Sequence, residues 1–263
     1  MPEHGQCGWP AGRLMSALAG SWMLLSQPVW AAFSIPGYEL VYNAPQETTL
    51  QDNDLRHAAE VWQQMFDAAR SHIDLAQFYV ANEKGSLLDG VLARLRAAGE
   101  RGVKIRFLME EKGVGLSTPE TLTALKAIPN LELRVIPFHR LTGGIVHAKY
   151  LLVDGKEAFV GSQNFDWRAL EQIQETGLRI SDPQTVQQIQ AIFDQDWQAQ
   201  ALLAESKPVP KPARQAVASA PQGNYLVASP RDYNPGGVID SQVALPRLLA
   251  SAKSRIRVPV SYT

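Results

Sequence analysis

Apolar residues along this chain fall into two alternating rhythms, and that alternation sets the fold class before any chemistry is considered. Residues 38–42 read as a strand, turned by Asn43 and Pro45. Residues 55–70 place Ala58, Val61, Met65, Phe66 and Ala69 on one helical stripe, with Asp52 or Asp54 as the expected cap. The mostly apolar run over 72–80 fits a buried strand. The order repeats in a helix over 86–98 closed by Gly99 and Gly102, a strand over 103–109, a helix over 119–127 opened by Pro119, and a strand over 131–138. Residues 147–153 and 157–161 read as two strands joined by a tight turn at Asp154 and Gly155. A further strand over 175–180 precedes a helix over 183–200 that carries Val186, Ile189, Ile192, Phe193 and Trp197 on one face. Strands and helices in this order predict a layered α/β domain around a mixed sheet.

Bulk composition narrows the function classes. An apolar fraction of 45% and a charged fraction of 19% over 263 residues support a sizeable core. Net charge is −1, so no global basic field draws in nucleic acid, although a local basic patch around Lys149 stays open. Near the N-terminus, Arg13 precedes an apolar run over 14–25 that is short for a bilayer span. Pro28 breaks the run, and Val29 and Ala31 offer small residues for cleavage before Ala32, so residues 1–31 are expected to be a signal peptide and the mature protein secreted or periplasmic. The alternative is a buried N-terminal helix or an uncleaved anchor. Cys7, the single cysteine, precedes the expected cut, which leaves the mature chain with no thiol or Cys-based metal site.

Candidate chemistry concentrates in one stretch, which reads H-x-K-x4-D-x6-G-S-x-N from His147 through Lys149, Asp154, Gly161 and Ser162 to Asn164. On an extended strand His147 and Lys149 point to the same face, so a nucleophilic or acid/base imidazole lies beside an ammonium able to hold a phosphoryl oxygen. A lysine in an otherwise apolar strand needs an anionic partner, and phosphate supplies one. The returning strand brings Ser162 and Asn164 alongside to donate hydrogen bonds or orient the imidazole. Glu175 follows His147 by 28 positions (175 − 147) and is expected to hold the other imidazole nitrogen. Asp154 belongs to the pattern, yet Asp-Gly is also a good turn pair, so fixing the loop and the lysine is its expected job. His57, His72 and His139 read as surface or loop residues, with a place at the pocket mouth left open for His139.

This composite, with Glu175-x-Gly177-Leu178-x-Ile180 behind it, resembles the HKD signature of the phospholipase D superfamily, over roughly residues 38–197. The resemblance implies a layered α-β-α phospholipase D-like domain and in-line displacement at phosphorus through a covalent phosphohistidine. It implies His147, Lys149 and Asp154 as catalytic residues, Ser162, Asn164 and Glu175 as phosphate-binding or orienting residues, and no metal or other cofactor. It also implies that a whole site needs a second histidine motif, supplied by the same chain or by a symmetric partner.

Composition changes after residue 204. Residues 205–224 form a Pro- and Ala-rich linker between a domain over 32–204 and whatever follows. Residues 225–230 resemble 40–45, and 248–258 align without gaps to 65–75, an offset of 183 positions (248 − 65). Residues 225–263 therefore read as the start of a second copy, incomplete because its own H-x-K would fall near position 330 (147 + 183). The expected function is an exported phospholipase D-type phosphodiesterase that hydrolyses or transfers phospholipid head groups, with a phospholipid as partner at a membrane surface. The alternatives are a homodimeric nuclease of the same superfamily and an inactive fragment or binding module.

Overall fold

The computed structural model describes residues 33–213 and 223–256, so the expected signal peptide and the last seven residues lie outside the described residues. In chain order the elements are β1 (Ser34–Ile35), β2 (Tyr38–Asn43), α1 (Ala58–Ala68), β3 (His72–Gln77), β4 (Val80–Ala81), α2 (Leu87–Glu100) and β5 (Lys104–Glu110). Then come α3 (Glu111–Val114), α4 (Pro119–Lys126), β6 (Leu131–Ile136), α5 (His139–Thr142), β7 (Tyr150–Val153), β8 (Glu157–Gly161), β9 (Phe165–Asp166), α6 (Trp167–Glu171), β10 (Glu175–Ile180) and α7 (Pro183–Ala204). The C-terminal segment adds β11 (Val227–Ala228), β12 (Ile239–Asp240) and α8 (Ser241–Ala250).

An eight-stranded mixed sheet runs in the order β1-β2-β10-β8-β7-β3-β5-β6. Strands β3, β5 and β6 are parallel, as short helical crossovers require, whereas β7 enters antiparallel to β3 and pairs with β8 through a hairpin. One face buries Val61, Trp62, Met65 and Phe66 of α1 with Leu88, Val91 and Leu95 of α2 against Phe159 and Phe165. The Trp62 ring meets Phe159 edge-on at 5.4 Å and stacks on Phe165 at 5.8 Å, contacts worth about 0.5–1.5 kcal/mol each beyond burial. The other face buries Val186, Ile189, Phe193 and Trp197 of α7 against Leu108, Tyr150, Leu152 and Ala158. The layered α-β-α arrangement is thus the one expected from the alternation of elements.

Several boundaries differ from expectation for identifiable reasons. Helix α1 starts at Ala58 with His57 as its cap, Nδ1 accepting from Ala59 N at 3.2 Å; Asp52 instead closes the preceding turn onto Asp54 N. Strand β3 stops at Gln77, and Val80 then leaves to pair with Phe165 in the separate β4–β9 ladder. The β7–β8 turn uses left-handed backbone at both Asp154 (φ 54°) and Gly155 (φ 63°), matching the tight turn read from Asp-Gly.

The C-terminal segment has a local arrangement similar to that at the start of the domain. In the first region β2 and the residue two before α1 form a parallel bridge, Val41 to Arg56. In the second, β11 and β12 pair in parallel at Val227 and Ile239 just ahead of α8. Arg56, His57 and Ala58 map onto Ile239, Asp240 and Ser241 at the offset of 183 positions found in the sequence (239 − 56), so one bridge residue, the cap and the helix start coincide, whereas the other bridge residues, Val41 and Val227, are 186 positions apart (227 − 41).

Candidate active site

Every candidate except Asp154 gathers at one edge of the sheet. This edge collects the C-terminal ends of β3, β5 and β8 with the N-terminal ends of β7 and β10. Gln77 therefore ends beside Lys149, and Ser162 lies opposite Thr176, its backbone N donating to Thr176 O at 2.9 Å.

His147 and Lys149 are not in the sheet ladder, contrary to the strand expected over 147–153. Beyond Gln77 no partner strand remains on the β3 side, and the last bond on the β8 side is Gly161 N to Lys149 O at 3.1 Å. The two side chains nevertheless meet, as the i, i+2 spacing predicted. Lys149 Nζ lies 3.1 Å from His147 Nδ1 and 3.3 Å from Nε2, and it donates to the His147 carbonyl at 2.6 Å. The imidazole packs edge-on to Phe78 with centroids 4.7 Å apart, and the same ring faces Lys149 Nζ at 5.8 Å. Lys149 is buried, at 7% exposure, while His147 opens to solvent.

Burial governs the charge states. Desolvation pulls the Lys149 ammonium down to about 8, against the pull of the nearby Glu175 carboxylate. His147 is lowered by burial and by the neighbouring ammonium, which favours the neutral, nucleophilic ring. Glu175 is raised by burial, with the Ser162 hydrogen bond and Lys149 opposing.

Glu175 does not play the part expected of it. Its carboxylate accepts from the Ser162 hydroxyl, and among the described residues no hydrogen bond joins it to the His147 ring. Its electrostatic partner is Lys149. The glycines of the two submotifs face each other, Gly177 opposite Gly161. A Cβ at Gly177 would strike the Phe159 ring at 2.2 Å, and one at Gly161 would strike the Gln163 amide at 2.1 Å, so both positions admit only hydrogen.

Asp154 lies at the far end of β7, away from the histidine and the lysine. Its carboxylate accepts from Arg70 N at 2.8 Å, Ser71 N at 2.8 Å, Ser71 Oγ at 2.7 Å and His72 N at 3.0 Å. Burial pushes its pKa up, but these donors outweigh that and bring it to about 2. It ties the hairpin to the start of β3; the loop-fixing part of its expected job has a structural basis, and the lysine-fixing part does not.

Sequence reasoning missed several groups. Gln77 Oε1, both polar atoms of Gln163 and Asn164 Oδ1 are buried at or behind this edge with no hydrogen-bond partner among the described residues, although neither glutamine belongs to the motif pattern. Such orphans are unusual and mark a place where a polar ligand can bind. Phe78 and Glu110 also went unread: Glu110, fully buried at the end of β5, accepts from Val146 N at 2.8 Å immediately before His147. Tyr79 donates to the buried Asp166, which also binds Arg168, one of the residues flanking the motif. His139 pairs with Glu111 at 3.5 Å on α5.

The structure is thus a mixed α/β layered fold that holds a buried ammonium against an imidazole at its strand ends. A family model described as cardiolipin synthase, PLD-like domain, matches residues 63–197, about half of the 263-residue chain. Phospholipase D Z of Dictyostelium discoideum is 32% identical over 172 residues, covering 61% of this chain and 40% of that protein. The 5'-3' exonuclease PLD3 of Rattus norvegicus is 27% identical over 223 residues, 77% of this chain and 45% of that one. The solved structure titled NucT from Helicobacter pylori shares the fold at a TM-score of 0.50 and 16% identity, covering 61% of this chain and 96% of that chain. The chain belongs to the phospholipase D superfamily, and it spans less than half the length of these two curated relatives.

Proposed function

We propose that this chain carries one half of a phosphodiesterase site of phospholipase D type, in which His147 attacks phosphorus and forms a covalent phosphohistidine. The observation that carries this reading is the buried Lys149 ammonium held 3.1 Å from the imidazole. A desolvated cation stabilises the negative charge that develops on phosphoryl oxygens, and the unpaired Gln163 Nε2 is a further donor. In the first step the neutral imidazole forms a P–N bond as the P–O bond to the leaving alcohol breaks, and that alkoxide takes a proton from a second imidazole. In the second step the same imidazole removes a proton from water or an acceptor alcohol, whose oxygen displaces His147.

The second imidazole comes from a second motif, in a further copy of the domain or a partner subunit. The domain reading of 32–204, a linker over 205–224 and a second copy begun at 225 is supported by the repeated bridge-cap-helix arrangement. The 263-residue chain alone is accordingly expected to turn over weakly or not at all. Turnover matching two-motif relatives would instead mean that two copies pool their His147 groups.

The substrate we favour is a phospholipid head-group phosphodiester, handled by an exported protein, on the strength of the near-neutral charge and the signal-like N-terminus. A nucleic-acid substrate is the second reading, favoured by the exonuclease relative matched over 77% of this chain. Choline release from phosphatidylcholine is to be compared with nicking of plasmid DNA, both with chelator present. His147→Asn is expected to abolish whichever activity appears, and surviving activity would refute His147 as the nucleophile. Activity is also expected to fall as pH rises through about 8, where free Lys149 loses its charge.

A further inference from the structure

Two walls hold the His147 imidazole, and both are fixed by the same short junction between β5 and α3. On one side Glu110 Oε2 accepts from Val146 N at 2.8 Å, one residue before the histidine. The other oxygen of that carboxylate accepts from Lys112 N at 3.4 Å and opens α3. On the other side the imidazole packs against Phe78. The Phe78 carbonyl sits so close to α3 that a Cβ on Gly113 would come within 1.7 Å of it. Glu110 through Gly113 thus grip the backbone leading into the histidine and the backbone carrying the ring it leans on.

The chemistry of this clamp fits positioning. Glu110 is fully buried, and both its hydrogen bonds go to backbone N–H groups. A carboxylate is costly to bury and is retained where its charge-assisted bonds hold something in place. What it holds is the stretch leading into the motif ahead of β7, where no cross-strand bond fixes the histidine.

We infer that Glu110 is a positioning residue that sets the His147 imidazole against Phe78 and Lys149 by anchoring Val146 N. This rests on the phosphohistidine reading for its catalytic consequence, but not for its geometry. A misplacement of about 1 Å at a reacting group costs on the order of a hundredfold in rate.

The test uses the full chain and three variants, Glu110→Ala, Glu110→Gln and His147→Asn. The first readout is the His147 ring resonances, identified by their loss in His147→Asn and displaced by the Phe78 ring current. Glu110→Ala is expected to move them toward the values of an exposed histidine, together with the Val146 amide. Glu110→Gln keeps an oxygen acceptor and is expected to hold both near wild type. The second readout is turnover of bis(4-nitrophenyl) phosphate in the assembled two-motif form. Glu110→Ala is expected to lose about a hundredfold in kcat with KM little changed, and Glu110→Gln less than about tenfold.

Unmoved resonances in Glu110→Ala overturn the inference, as does a Glu110→Gln variant as displaced or as slow as Glu110→Ala, which would make charge rather than anchorage the role. If His147→Asn turns over like wild type, the phosphohistidine reading fails, and the resonances still decide whether Glu110 places the ring.

Discussion

Helices α1 and α8 align without gaps at an offset of 183 positions, and they meet opposite fates. Val61, Trp62, Met65 and Phe66 of α1 are at most 1% exposed. At the offset of 183 positions their counterparts are Ala244, Leu245, Leu248 and Leu249, and the three leucines are 51%, 64% and 48% exposed. The turn after α1 differs in the same way. Arg70, Ser71 and His72 donate to Asp154, whereas their counterparts Lys253, Ser254 and Arg255 lie exposed. The pattern of a core helix is thus present in both, but among the described residues only α1 is packed into the core, while Leu245 and Leu248 line an open apolar cavity against Leu40, Val160 and Leu178. Helix formation here is local; burial depends on strands far away in sequence.

The contrast is sharpest in paired truncations. Trp62→Ala is expected to cost about 3–5 kcal/mol in urea unfolding, because it empties a site between Phe159 and Phe165. The corresponding Leu245→Ala is expected to cost less than about 0.5 kcal/mol; equal losses would mean that α8 is buried as α1 is. Next in size is the turn. Asp154→Asn keeps a residue suited to left-handed backbone but loses the ionised acceptor, for an expected cost of about 1–2 kcal/mol. The sign follows from a folded pKa of about 2 below the ordinary 3.8: the stabilisation is present above pH 4 and lost as pH falls toward 2. Acid unfolding of the Asn variant should lack that component.

A smaller effect concerns how the C-terminal segment is fastened. Asp196 on α7 is buried beside Tyr233, and burial lifts its pKa to about 7 against the opposing Tyr233 hydroxyl. Tyr150 and Tyr233 face it as neutral phenols, and among the described residues no cation lowers its pKa. With the folded pKa raised, its stabilisation is full below pH 4 and lost as pH rises through 7. Hydrogen exchange around Tyr233, corrected for intrinsic rates, is expected to quicken from pH 5 to pH 8 in wild type and to stay level in Asp196→Asn. Least perturbing to the fold, Leu245→Ser with Leu248→Ser and Leu249→Ser should leave the unfolding midpoint unchanged while lowering dye binding to exposed apolar surface.

Much of this architecture was legible because long elements have periodicity to read. Helices α2, α4 and α7 lie close to where their apolar stripes put them, although α2 runs through Gly99 to Glu100 and only Asp182 of their N-cap residues makes a side-chain capping bond. The four- and five-residue helices α3, α5 and α6 are shorter than the pattern that would disclose them. At the site, the spacing of His147 and Lys149 foretold their meeting but not their departure from the ladder, since that depends on where β3 ends. The pairing of Glu175 with Ser162 was hidden for a similar reason, being set by the cross-strand register of β8 and β10. Glu110 carried no spacing signal, because its bond to Val146 joins two elements whose proximity only the folded sheet creates.

The antiparallel entry of β7 beside β3 has a consequence in time. The parallel unit β3-α2-β5-α4-β6 closes through near neighbours in sequence, whereas Ile73 must wait for Val153 and Asn43 for Glu175. Loop-closure entropy makes such distant pairings slow. The motif hairpin is therefore expected to be the late-arriving part of the molecule, docking into the middle of a half-built sheet. A newly made chain would have its parallel β3-β5-β6 unit before His147 and Lys149 were in place.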